Sequence, residues 1–210
     1  METRIFERTS LKSDHIRNGR ILEYITVTWD VLEALGSIVA ALLSGSVALL
    51  SYGIDSVIEV LSGSILLWRL QEGEKGEARE QLAARLVGIS LFALSAYILY
   101  DAGSSLLLHQ PPETSYLGIV IAAISVVVMP LLARAKRKVA KGISSKAMHA
   151  DSKQTDICAY LSAILLVGLV LNAAFGWWWA DPVSALVMIP IIAKEGIEAF
   201  QGELCECDDD

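Results

Sequence analysis

Hydrophobic positions fall along this chain in six long runs, at roughly 22–43, 47–70, 83–107, 116–133, 147–175 and 181–200, with short polar breaks between them. Each run is close to or above the ~18–20 residues that carry an α-helix across a bilayer. The breaks have the chemistry of chain reversals. Ser44-Gly45-Ser46 is a very tight turn, and 71–81 (QEGEKGEAREQ) is a charged loop. Between His109 and Ser115, Pro111 and Pro112 stop helix continuation. Gly176 with Trp177, Trp178 and Trp179 marks a membrane interface, where amphipathic rings settle. Pro182 opens the last helix, at a position where its missing N–H costs little. The pattern predicts an all-α, polytopic membrane protein: a bundle of six transmembrane helices spanning 22–200, with a segment 1–21 before it and an acidic, cysteine-containing tail 201–210 after it.

Basic residues orient the bundle. All 17 Lys and Arg lie in the N-terminal segment, in the second-to-third and fourth-to-fifth connections, and near the C-terminal end. The other three connections have none. Positive residues stay on the cytoplasmic side, so both termini are expected there, and an odd number of spans would break the pattern. The basic stretch Arg134–Lys146 is expected to fix topology and touch anionic headgroups.

Composition agrees with this reading. The chain has 210 residues, 54% of them hydrophobic, and a mean hydropathy of +0.51. Six spans leave no room for a sizeable soluble domain. The net charge of −7 owes much to the tail ELCECDDD at 203–210. The first 20 residues are polar and do not read as a cleavable signal peptide. Three cysteines, one in an apolar run and two in the tail, make no disulfide framework.

Charges at membrane depth cost at least ~2.5–3.5 kcal/mol each, so those that are present carry the chemistry. Asp55 and Glu59 stand four residues apart in the second helix, on one face. Two such acids repel unless a cation or a proton sits between them. Asp151, Gln154 and Cys158 share a stripe of the fifth helix and offer a carboxylate, an amide oxygen and a thiol. Thiolate tilts such a shell toward zinc, cadmium or another softer ion. Asp156 lies off that stripe, facing a cavity or another helix. In the first helix Asp30 and Glu33 are three apart, and the deeper Glu33 suits a proton carrier or a packing partner. Asp181, before Pro182, reads as an N-cap, and His149 as a solvated side chain. Cys205 and Cys207 in the acidic tail read as a metal-capturing tail. No Ser/His/Asp set or HExxH motif appears, which argues against an intramembrane enzyme.

Two segments resemble a known family. Residues 45–70, GSVALLSYGIDSVIEVLSGSILLWRL, are similar to the first turn and second helix of the cation diffusion facilitator superfamily, where D-x-x-x-D supplies half of a metal site. Asp55 and Glu59 occupy those positions. Residues 150–172, ADSKQTDICAYLSAILLVGLVLN, with the following WWWADP, resemble the family's fifth and sixth helices. Its H-x-x-x-D falls on Gln154 and Cys158. The second acid is thus Glu for Asp, and the helix-five pair departs further. The expected branch is a short one, without the family's soluble C-terminal metal-binding domain.

The resemblance implies a divalent metal as substrate, with zinc first and cadmium or cobalt next. It implies protons as counter-ion and a homodimer; a bacterial inner membrane and no nucleic-acid partner are expected as well. The expected activity is proton-coupled efflux from the cytoplasm by alternating access, with Asp55, Glu59, Gln154 and Cys158 around the metal. The alternative is a membrane protein that binds metal and responds to it without transport. A channel would conduct without proton coupling.

Overall fold

Six helices follow from the six apolar runs. The structure, a computed structural model, describes residues 2–72, 77–143 and 146–201. Among these are α1 (Glu2–Ser44), α2 (Val47–Glu72), α3 (Glu77–Leu108), α4 (Tyr116–Ile143), α5 (Lys146–Phe175) and α6 (Ala180–Gln201), and no strand. The tail with Cys205 and Cys207 lies outside the described residues.

The helices outrun the apolar segments that predict them. α1 begins near residue 2 rather than 22, α3 at Glu77 rather than 83, and α4 continues ten residues past 133 to Ile143. These extensions are rich in Arg, Lys, Glu and Gln, which are good helix formers. The hydrophobic period reports where a helix is in the membrane, not where it ends. Much of the basic stretch expected in a connection therefore stands on α4.

Among the described residues five helices are long and apolar enough to cross a bilayer: α1 over Arg17–Ser44, α2, α3, α4 and α5. α6 is 22 residues long, a span in length. It also carries four charged residues, Asp181, Lys194, Glu195 and Glu198. The surface has the inverted character of a membrane bundle. Leu42, Leu43, Leu99, Leu107 and Phe175 are exposed, while serines, carboxylates and a lysine are buried.

The turn between α1 and α2 works as the sequence suggests. Gly45 sits at φ 70° and its N–H bonds Ala41 O at 2.7 Å, a left-handed cap that a side chain would strain. Ser46 Oγ accepts from Leu49 N–H at 3.0 Å and starts α2. Asp181 is a cap, but not of its own helix, where the sequence places it. Its carboxylate accepts from Ser46 Oγ at 2.5 Å and from Val47 N–H at 3.0 Å, so it closes the N-terminus of α2 and ties it to α6. Sequence order made its own helix the obvious customer, while the fold sets α2 beside it.

Around this hairpin, α1 packs on α2 and α4, α4 on α5, and α3 on α6. Small residues permit the closest approaches, as bilayer helices require when lipid is as apolar as the interface. A Cβ on Gly88 of α3 would stand 2.8 Å from Gly196 O of α6. The apolar core of Leu49, Leu91, Ile98, Leu161, Leu165 and Met188 fills the centre.

Candidate metal centre

α1 carries a polar stripe through the membrane. Glu23, Thr26, Asp30, Glu33 and Ser37 recur at intervals of three and four residues, so they share one face. That face is turned inward, with each of the five at most 4% exposed. Ile21, Ile25, Leu32 and Leu35 cover the outer side.

At Glu33, the fourth of the five, three metal-ligating side chains converge. Glu33 of α1, Glu59 of α2 and Cys158 of α5 each present one ligand atom, all within 4.8 Å of one another, and all three residues are buried. Cys158 Sγ lies 3.8 Å from Glu33 Oε2. Tyr52 donates to Glu33 Oε1 at 2.6 Å, and its hydroxyl stands 2.5 Å from Ser162 Oγ. Ser125 of α4 also donates to Glu33 Oε1, and Ser56 donates to Oε2 at 3.2 Å. Glu33 is thus fixed by three helices. Glu59 is not: its Oε2 is buried with no hydrogen-bond partner. An unpaired carboxylate oxygen in a dry site costs free energy until a cation or a proton meets it. Two carboxylates and a thiol at this spacing are a donor set for a borderline or soft divalent ion.

The other residues singled out by spacing lie elsewhere. Asp55 is buried one turn from Glu59, outside the converging three. It stands in electrostatic range of Glu33 and of Glu195 on α6, which is buried as well. Gln154 accepts from Ser62 of α2 at 3.1 Å, one turn from Cys158 toward the basic end of the bundle. Asp151 does not reach the centre, being drawn to Lys136 of α4 at 2.5 Å. Asp156 pairs with Arg137, also of α4, at a half-exposed position. Asp30 is buried, with Oδ1 unpartnered. The α5 stripe of Asp151, Gln154 and Cys158 is therefore spread over about two turns, and only Cys158 of that set enters the centre.

Residues 24–201 match the cation efflux transmembrane domain. This chain belongs to the cation efflux family. That placement agrees with the resemblance to the cation diffusion facilitator superfamily, and the family is one of transporters rather than enzymes. Among relatives of this cation efflux chain, the cation-efflux pump FieF of Shewanella oneidensis is 26% identical over 170 residues, covering 77% of this chain and 57% of the pump. The cadmium, cobalt and zinc/H(+)-K(+) antiporter of Bacillus velezensis is 27% identical over 192 residues, covering 84% of this chain and 58% of the antiporter. The manganese efflux system protein MneS of Bacillus subtilis is 23% identical over 198 residues, covering 90% and 68%. The chain thus spans little more than half the length of the first two. With five apolar spans and this family, it is an integral, multi-pass membrane protein.

Proposed function

We propose that this chain moves a divalent metal cation out of the cytoplasm by alternating access, and that Glu33, Glu59 and Cys158 hold the ion on the way. The observation that carries the reading is the convergence of two carboxylates and a thiol within 4.8 Å, with one Glu59 oxygen left unpartnered. Asp55 stands behind them as a further anionic group, and Gln154 as a neutral oxygen one turn toward the cytoplasm. Thiolate chemistry favours zinc, then cadmium or cobalt. Names of relatives that handle cadmium, cobalt, zinc and protons support the same choice.

Protons are the counter-ion in this reading. Carboxylates and thiol bind metal only when deprotonated, so protons arriving from outside release it. Both termini and the basic helix ends face the cytoplasm of a bacterial inner membrane, the chain works as a homodimer, and Cys205 and Cys207 catch metal at that surface. Residues 22–200 form the transmembrane unit, flanked by 1–21 and 201–210.

Uptake into inside-out proteoliposomes tests the reading, with zinc, cadmium, cobalt and manganese compared at zero and imposed pH gradients. Gradient-driven flux that disappears in Glu59→Gln is expected. Flux indifferent to the gradient would make the protein a channel. Folded protein that binds metal through Cys158 yet moves none would make it a binding or regulatory protein.

A further inference from the structure

A lysine with no exposed surface sits inside this bundle, and two carboxylates hold it. Lys136 of α4 is 0% exposed. Its ammonium is 2.5 Å from Asp151 Oδ2 of α5 and 3.0 Å from Glu23 Oε2 of α1. Glu23 Oε1 presses on α2, where a Cβ at Gly63 would lie 2.7 Å away, so glycine there admits the carboxylate. Three helices thus meet at one ammonium, and α2 closes against Glu23. Gly63 lies one turn beyond Glu59 and Glu23 two to three turns before Glu33, both toward the end rich in Arg and Lys. The clamp therefore stands between that end and the metal centre.

The charges do not balance there. Among the described residues two carboxylates face a single positive charge, and Asp30, in electrostatic range of Glu23, Asp151 and Lys136, adds a third. Glu23 Oε1 and Asp30 Oδ1 are buried with no hydrogen-bond partner. Asp30 links the clamp to the centre along the α1 stripe, one turn before Glu33. A group of buried acids that already holds one cation, and has oxygen atoms to spare, suits a divalent ion better than a lysine. The lysine sits on a flexible four-carbon stem and can withdraw.

We propose that Glu23 and Asp151 form an access site for the divalent cargo, which the tethered ammonium of Lys136 fills in this conformation. Cargo arriving from the basic end displaces Lys136, passes Asp30 and reaches Glu33, Glu59 and Cys158. Lys136 returns behind it and closes the way back. This deepens the transport reading and rests on it.

The test counts bound cadmium on the purified full chain in a Cys205→Ser/Cys207→Ser background, by equilibrium dialysis together with the ultraviolet thiolate-to-cadmium absorption of Cys158. With Lys136 in place one ion per chain is expected, with the thiolate signal. Lys136→Met frees the access site, and two ions are expected, the second lost again when Glu23→Gln is added. Lys136→Gln keeps the length and a hydrogen-bond donor, and serves if Lys136→Met does not fold. No ion gained in either folded variant, or two ions before Lys136 is changed, overturns the access site. A missing thiolate signal throughout overturns the Glu33–Glu59–Cys158 centre instead. One ion gained without that signal in the Lys136 variants would still support the access site.

Discussion

Among the described residues Cys158 is the only thiol in the centre, and it decides which ions the site prefers. Replacing it with serine removes the soft donor and leaves two carboxylates. Cys158→Ser is expected to lose cadmium and zinc affinity by ~100-fold or more, above the 10–100-fold typical of losing a supporting partner, while manganese changes far less. Competitive titration against a metal indicator measures both. Glu33→Gln keeps an amide oxygen for the bonds from Tyr52 and Ser125, and its amide nitrogen, in place of Oε2, can donate to Ser56 Oγ, so it is expected to fold and to bind metal weakly; binding at full strength would remove Glu33 from the ligand set. Much of this was legible in the sequence. Spacing alone drew attention to Glu59 and Cys158, and charge at depth to Glu33. Glu23 and Lys136 were hidden because each lies near the end of an apolar run, where a charge is read as topology. Glu195 was hidden likewise. The interval of three and four from Glu23 to Ser37 was the available signal, since no solvated face would repeat so regularly within a span.

At the scale of elements, two joints hold the helices in register. Asp181 is a cap lent by α6 to α2. Loss of such a cap costs about 0.5–2 kcal/mol. Asp181→Ala is expected to lower the thermal midpoint in detergent by several degrees, at about 2–4 °C per kcal/mol for a chain of this size. Asp181→Asn, whose amide oxygen still accepts, should lose less; equal losses would mean that charge rather than capping matters. The α3–α6 joint depends on the absence of a side chain at Gly88. Gly88→Val forces the helices apart and is expected to destabilise by about 1–3 kcal/mol, as overpacking does, read from the same melting curves. The apolar runs predicted every helix. They did not predict helix ends, because charged helix formers extend α1, α3 and α4 past the membrane without any hydrophobic signal. Nor could they say that Asp181 serves α2, since that contact joins residues 134 apart in the chain.

For the whole molecule, the polar stripe of α1 has a consequence for how the chain enters the bilayer. Glu23, Asp30 and Glu33 would each meet hydrocarbon if α1 were inserted alone, at ~2.5–3.5 kcal/mol apiece near the centre. Their partners arrive later in synthesis: Tyr52 and Ser56 with α2, Ser125 and Lys136 with α4. A lone α1 is therefore a poor stop for the translocation machinery. Joined through Gly45 to α2, it can go in as a helical hairpin whose polar faces turn toward each other. A glycosylation-mapped insertion assay is expected to find α1 alone largely excluded and the α1–α2 pair integrated, and replacing Glu33 with leucine should let α1 stay on its own. The same acids that would hold the cargo in the finished protein thus delay the first helix during birth, and the tight turn after it becomes the feature that lets the chain begin.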